Sequence, residues 1–201
     1  MNAALSLVDK RGIDGFTVRA LARVVDAPPM SLYTHFANKE ELLDLMCAEI
    51  SRRIYAEEHH PTWQAELLAM SKRVLRTLGD HTKWVELLSR SAPAMMFPTR
   101  ERVLRLMVDD GLSHEAALQG LAAVLLTSVG LVITKLTMNG GRGKSALATR
   151  FAKVRAGLEK DPTVEEETTR LAMAKVGRFD FEAQLEFTIQ TLIAGLEVSR
   201  R

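Results

Sequence analysis

The sequence predicts an all-α fold: a small N-terminal three-helix domain built around a helix-turn-helix, and a larger C-terminal helical domain. Three observations lead there. Apolar residues recur at i, i+3, i+4, i+7 in one segment after another. Residues suited to cap helices, Thr17, Asn38, Thr62, Ser113 and Asp180, stand just before those runs. Strand patterns are absent, and no internal repeat is visible. The domain boundary is placed between residues 1–45 and 46–201.

The chain enters directly into an amphipathic helix after Met1. Thr17 is the N-cap of the next helix, which presents Val18, Leu21, Ala22 and Val25 on one face. Asp26-Ala27-Pro28 ends it, because a proline disfavours helical geometry in the residue before it. Pro29 opens the following short helix, where its missing N–H costs nothing. Leu32 and Phe36 then face inward and leave Pro29, Met30, Tyr33, Thr34 and His35 pointing away. A short helix with such an outer face, braced by a second helix, suits insertion into a DNA major groove.

Asn38 and Glu41 form a capping box that starts a longer helix with the inner stripe Leu42, Leu45, Met46, Ile50 and Ile54. It is expected to run to about His59, where Pro61 stops it. Thr62 begins a helix through Leu67, Met70, Val74 and Leu78. A short helix over 84–89 precedes an apolar loop, residues 92–98. A helix from Thr99 to Asp110 turns Val103, Leu106 and Met107 inward, and Gly111 stops it. Ser113 caps a long helix to about Met138, followed by a glycine-rich break at 139–144 and two weaker helical stretches (146–159 and 164–175). Asp180 caps a last helix with Leu185, Ile189, Leu192, Ile193 and Leu196 on one face.

Gly12-Ile-Asp-Gly-Phe-Thr-Val-Arg-Ala-Leu-Ala22 and Met30-Ser-Leu-Tyr-Thr-His-Phe-Ala-Asn-Lys-Glu-Glu-Leu-Leu43 resemble the DNA-binding domain of the tetracycline-repressor (TetR) family. The spacing of the Tyr-x-His-Phe run to Asn-Lys-Glu-x-Leu-Leu makes that resemblance specific. Pro61-Thr-Trp63 and the closing stretch from Phe187 to Glu197 resemble the tetracycline-repressor type of C-terminal domain. Asp26 replaces the family's turn glycine, so strain is expected there. Pro28 stands where a serine-like cap is usual. The family carries a further turn of helix and a basic arm before this point, so a shortened start is expected.

Composition fits such a protein without pointing to it. Apolar residues make up 47% and charged residues 26% of 201, ordinary for a globular chain. The formal charge of +2 neither supports nor opposes DNA binding, which depends on placed contacts. A single cysteine, Cys47, allows no internal disulfide, and no signal peptide is visible, so a cytoplasmic protein is expected. The uncharged run 116–134 approaches the length of a membrane span, yet Gln119, Thr127, Ser128 and Gly130 interrupt it; a buried central helix explains it better. Gly140-Gly-Arg-Gly-Lys-Ser145 imitates a phosphate-binding loop but has Met138 where the first glycine belongs. His59 and His60 are adjacent and so diverge by about 100° on a helix, which does not suit a metal. His81, His114 and Cys47 have no catalytic partner at motif spacing. No metal, cofactor or enzymatic activity is expected.

The resemblance implies a homodimeric, ligand-responsive regulator of transcription, most often a repressor. It would bind palindromic operator DNA and release it when a small molecule enters the C-terminal domain. The helix beginning at Lys39 would carry the displacement. Met30, Ser31 and Thr34 are expected to read bases, with Arg19 reaching a base or phosphate. Tyr33, His35 and Lys39 are expected to hold the phosphate backbone, and Thr17 and Pro29 to border the same surface. Tyr55, Met70, Val74, Met96, Val103 and Met107 are expected to line the ligand pocket. As that lining shows no charged residue, a neutral or amphipathic organic ligand is expected. The methionines serve equally well as core fillers. Two other readings stay open on sequence alone: an enzyme or carrier that keeps the helix-turn-helix as a packing module, and a ligand-independent DNA binder.

Overall fold

Side chains close the helix starts where the sequence placed them. In the computed structural model, which describes residues 1–54, 60–90, 101–139, 153, 156–157 and 180–200, Thr17 Oγ1 accepts the Ala20 N–H at 3.1 Å. Thr62 accepts from Ala65 at 3.3 Å, and Ser113 accepts from Ala116 at 3.1 Å. Asp180 accepts from both Glu182 and Ala183 at 3.0 Å. Each such cap stabilises its helix by about 1 kcal/mol.

The described residues contain helices and no strand: α1 (Asn2–Arg11), α2 (Val18–Val24), α3 (Pro29–Leu32), α4 (Lys39–Ile54), α5 (Trp63–Asp80), α6 (Trp84–Arg90), α7 (Glu101–Asp109), α8 (His114–Asn139) and α9 (Phe181–Val198). The expected all-α fold is therefore what forms. The apolar loop at 92–98, the end of the fourth helix beyond Ile54 and the glycine-rich break from Gly140 lie outside the described residues. So do the two weaker stretches, apart from Lys153, Ala156 and Gly157.

In the N-terminal part, Leu5, Val8, Ile13, Phe16, Val18, Leu21, Phe36, Leu42 and Met46 are buried together. Two expectations fail locally. α2 ends at Val24, so Val25 caps it and is 41% exposed instead of completing the buried face. Leu45 is 39% exposed, because α4 buries the adjacent stripe Leu42/Leu43, Met46/Cys47, Ile50 and Ile54 instead. The capping box is also shifted by one residue. Asn38 Oδ1 accepts from Glu41 N–H at 2.9 Å, but the Glu41 carboxylate reaches the N–H of Ala37.

α8 is the axis of the C-terminal part and packs against α5, α7 and α9. Ala117, Leu121, Val124, Ser128 and Val132, spaced by three or four residues, form its buried stripe. The Ser128 hydroxyl donates to Val124 O at 2.7 Å, which satisfies it inside the core. α8 is long and apolar enough to cross a membrane, but its buried stripe makes it the core helix of this domain. Gly120 allows α9 to approach: a Cβ there would lie 2.7 Å from the Leu196 methyls. Gly111, at φ 98°, turns the chain from α7 into α8 in a conformation that a side chain would strain.

The outer faces of α8 and α9 are also apolar. Leu118, Leu126 and Ile133 on α8 and Phe187 and Val198 on α9 are exposed, with Leu126 at 74%. On α9 the predicted stripe divides. Leu185 and Ile189 are sealed inside the protomer, while Leu192, Ile193 and Leu196 are half-buried.

Candidate DNA-contacting surface and effector core

α3 is only four residues long, and its exposure follows from what lies beneath it. Pro28, in extended geometry, delivers the chain, and Pro29 supplies the first turn. Phe36 is buried and Leu32 half-buried, which fixes the short helix on the domain core. Met30 is then 76% exposed and Tyr33 43%, and Pro29, Ser31, Thr34 and His35 are exposed as well. The predicted helix to Phe36 is shorter than expected. Tyr33 caps it, and Tyr33 to His35 form a turn that holds the Tyr33 ring 5.6 Å from that of Phe36.

The hydroxyls of the two small polar candidates are already engaged. Ser31 Oγ donates to Pro28 O and Thr34 Oγ1 donates to Ser31 O, each at 2.7 Å. Their protons are therefore used locally, and what they offer outward is an acceptor. Thr17 has the reverse balance: its oxygen accepts from Ala20, leaving its own O–H as a donor.

Asp26 sits at φ 50°, and it alone among the described non-glycine residues has a positive φ. The strain expected from replacing the family's glycine is thus present, on the order of 1 kcal/mol, eased because aspartate tolerates this region better than most residues. The turn opens a groove lined by Arg19, Ala22, Arg23, Asp26, Ala27, Pro28 and Pro29. Arg23, one turn after Arg19 and likewise exposed, was not among the predicted contacts. Its signal was the i, i+4 spacing from Arg19 on the outer face of α2. Lys39 is half-buried at the first position of α4.

The DNA-side helices are tied to the C-terminal part through α6. His81 Nδ1 lies 2.8 Å from Asp9 Oδ2 on α1, and its ring stacks on Trp84 with centroids 3.7 Å apart. Arg53 of α4 covers the same indole at 5.4 Å and donates to Asn2 Oδ1 of α1 at 2.6 Å. Lys83 Nζ donates to Lys10 O at 3.0 Å. Cys47 is fully buried, with its thiol 3.6 Å from Leu87 O of α6. On α4, the hydrogen-bonded Arg52 guanidinium holds the Glu49 carboxyl well below its ordinary range, at about 2, against the opposing effect of burial. Arg53 adds to that effect.

Of the predicted pocket residues, Met70 and Val74 on α5 and Val103 and Met107 on α7 are all buried, and the two helices pack against each other. Tyr55 and Met96 lie outside the described residues. Arg73 of α5 is buried as well. It sits between Met70 and Val74 in sequence and is itself 8% exposed. Its Nε donates to Ile54 O of α4 at 2.7 Å, and its Nη2 donates to Glu66 Oε1 at 3.3 Å. Sequence reading passed over it because an arginine on an amphipathic helix normally faces solvent. Among the described residues no group of three or more potential metal ligands occurs.

Comparison with known proteins agrees with this architecture. Residues 1–46 match the family described as bacterial regulatory proteins, tetR family, and residues 56–200 match the tetracyclin repressor-like C-terminal domain. The chain is 35% identical over 144 residues to the tetracycline repressor protein class D of Escherichia coli, a match covering 66% of this chain and 63% of that protein. It therefore spans somewhat under two thirds of that relative's length. It is 27% identical over 210 residues to the class C repressor of Escherichia coli, covering 100% of this chain and 90% of that one. Among solved structures, ActR of Streptomyces coelicolor in complex with actinorhodin superposes with a TM-score of 0.74 at 22% identity, covering 98% and 94% of the two chains. A variant TetR of Acinetobacter baumannii AYE in complex with minocycline gives 0.64 at 23% identity, covering 100% and 95%. These two likenesses concern the fold alone, but with both domains matched in order over nearly the whole length, the chain belongs to the TetR family.

Proposed function

We propose that this protein is a homodimeric, effector-responsive regulator of transcription, acting in the cytoplasm as a repressor on a palindromic operator. The observation that carries the reading is α3 itself: a short helix held by Phe36 and Leu32 that presents Met30 and Tyr33 outward. Met30 reads base edges together with acceptors from Ser31 and Thr34. Thr17, Arg19, Tyr33, His35 and Lys39 hold phosphates, with Pro29 at the border of the surface. Arg23 joins Arg19 along the groove.

The exposed apolar faces of α8 and α9 form a four-helix contact across a two-fold axis. That dimer places the two recognition helices about 34–36 Å apart, one DNA turn. A small organic ligand held between α5 and α7 favours a different separation. It weakens DNA binding only as far as it prefers that second geometry. Tyr55 and Met96 complete the proposed lining with Met70, Val74, Val103 and Met107. Two structures of similar fold were solved with actinorhodin and minocycline, which is in keeping with a small-molecule effector here.

Selection from a pool of random duplexes tests the reading. Recovery of a two-fold symmetric consensus is expected. Retention of duplex without sequence preference would favour a ligand-independent binder, and no retention would favour a helix-turn-helix kept only as a packing module.

A further inference from the structure

The corner between α2 and α3 is held by its own backbone. Ala27 N–H donates to Ala22 O and Val25 N–H donates to Leu21 O, each at 3.0 Å. The helix therefore closes in a fixed turn, with Asp26 at φ 50° as its left-handed residue. That turn brings Arg19, Arg23 and Asp26 to the wall of one groove, which extends to Pro29, the first residue of α3. Arg19 and Arg23 stand one turn apart on the exposed face of α2. Neither has a hydrogen-bond or ion-pair partner among the described residues, whereas Arg53, Arg73 and Arg200 are each engaged by a carboxylate. Two arginines and one carboxylate leave the groove positive.

Which part of a duplex meets that groove follows from the motif. In a helix-turn-helix the second helix enters the major groove and the first crosses the phosphate backbone. With α3 as the reading helix, the outer face of α2 meets phosphates and not base edges. The geometry points to a backbone phosphate of the operator seated in this groove, held by Arg23 beside Arg19, with Asp26 on the same wall limiting its pull. The inference rests on the DNA-binding reading above and deepens it. Arg23 adds affinity without adding sequence preference, as a phosphate contact does. Asp26 carries the same sign as the phosphate and lowers affinity for every duplex alike. A larger share of the binding is thereby left to the base contacts of α3.

Anisotropy titrations of the full-length protein over a range of salt concentrations test this, with the duplex recovered by selection and a set of its single-base variants. Arg23→Gln should weaken binding to all of these duplexes by the same factor and lower the salt slope by about one unit per protomer. Arg23→Lys keeps the charge and should keep the slope. Asp26→Asn removes the charge but keeps a residue that tolerates positive φ, and should tighten binding to every duplex about two- to fivefold at low salt. Both positions are exposed, so neither change disturbs the core. An unaltered slope for Arg23→Gln, or a changed order of preference among the base variants, would overturn the phosphate contact. Unchanged or weaker binding by Asp26→Asn would overturn its limiting role. These outcomes leave the DNA-binding reading standing. Failure of the unsubstituted protein to retain any duplex would overturn that reading and this inference together.

Discussion

The imidazole of His81, in the turn between α5 and α6, lies 2.8 Å from the carboxylate of Asp9 on α1 and stacks flat on Trp84. Two groups 72 residues apart thus share one contact, through which the turn before α6 holds α1, behind the proposed DNA-contacting surface. Trp84 is the heavier half of this seam, 1% exposed, with Arg53 on its ring. Trp84→Ala should destabilise the protein by about 3–5 kcal/mol, the range for removing a buried aromatic. Asp9→Asn, at a partly exposed pair, should cost at most about 1 kcal/mol. Denaturant unfolding measures both, and equal effects would show that packing does not dominate the seam.

Lys39→Ala should weaken binding to all duplexes about equally and lower the salt slope by about one unit. Met30→Ala should instead change the preference among operator variants. Anisotropy titrations at several salt concentrations distinguish these outcomes, and an unaltered salt slope for Lys39→Ala would remove it from the phosphate contacts.

The dimer seam is best probed at Leu126, which is 74% exposed. Leu192 is half-buried in its own protomer, so a charge there would disturb the fold as well as the seam. Leu126→Glu should yield folded monomers in sedimentation velocity and lose the palindrome. A dimer that survives this change would place the interface elsewhere.

Glu49 gives a pH dependence with a definite sign. Its carboxyl is lowered in the folded state from 4.5 to about 2. Its ion pairs therefore contribute stability above pH 4.5 that is lost as the pH falls towards 2. Glu49→Gln should lower stability at neutral pH and flatten the acid loss across that window. Parallel acid-unfolding curves for the two proteins would contradict the assignment.

Much of this was legible in the sequence because capping and periodicity are local. Thr17, Thr62, Ser113 and Asp180 each close a helix through a backbone N–H two or three residues ahead, within reach of any sequence window. The strain at Asp26 was legible through the family resemblance, which puts a glycine at that turn. What escaped depended on neighbours distant in sequence. Leu45 is exposed because α4 turns the adjacent stripe toward the N-terminal core and toward α5 and α6. Arg73 is buried where Ile54 of α4 offers it a carbonyl nineteen residues away. No periodicity records that contact. The Asp9–His81 pair, separated by 72 residues, is equally invisible to a local reading.

The most direct test of the account is titration of the unsubstituted protein against a recovered operator as a full palindrome and as a single half-site, at two salt concentrations. One dimer should bind the full palindrome, with affinity falling steeply as salt rises, and bind the half-site at least about a hundredfold more weakly, in keeping with the gap between specific and non-specific binding. Equal affinity for both duplexes, or binding indifferent to salt, would contradict a dimer that reads DNA through two copies of α3.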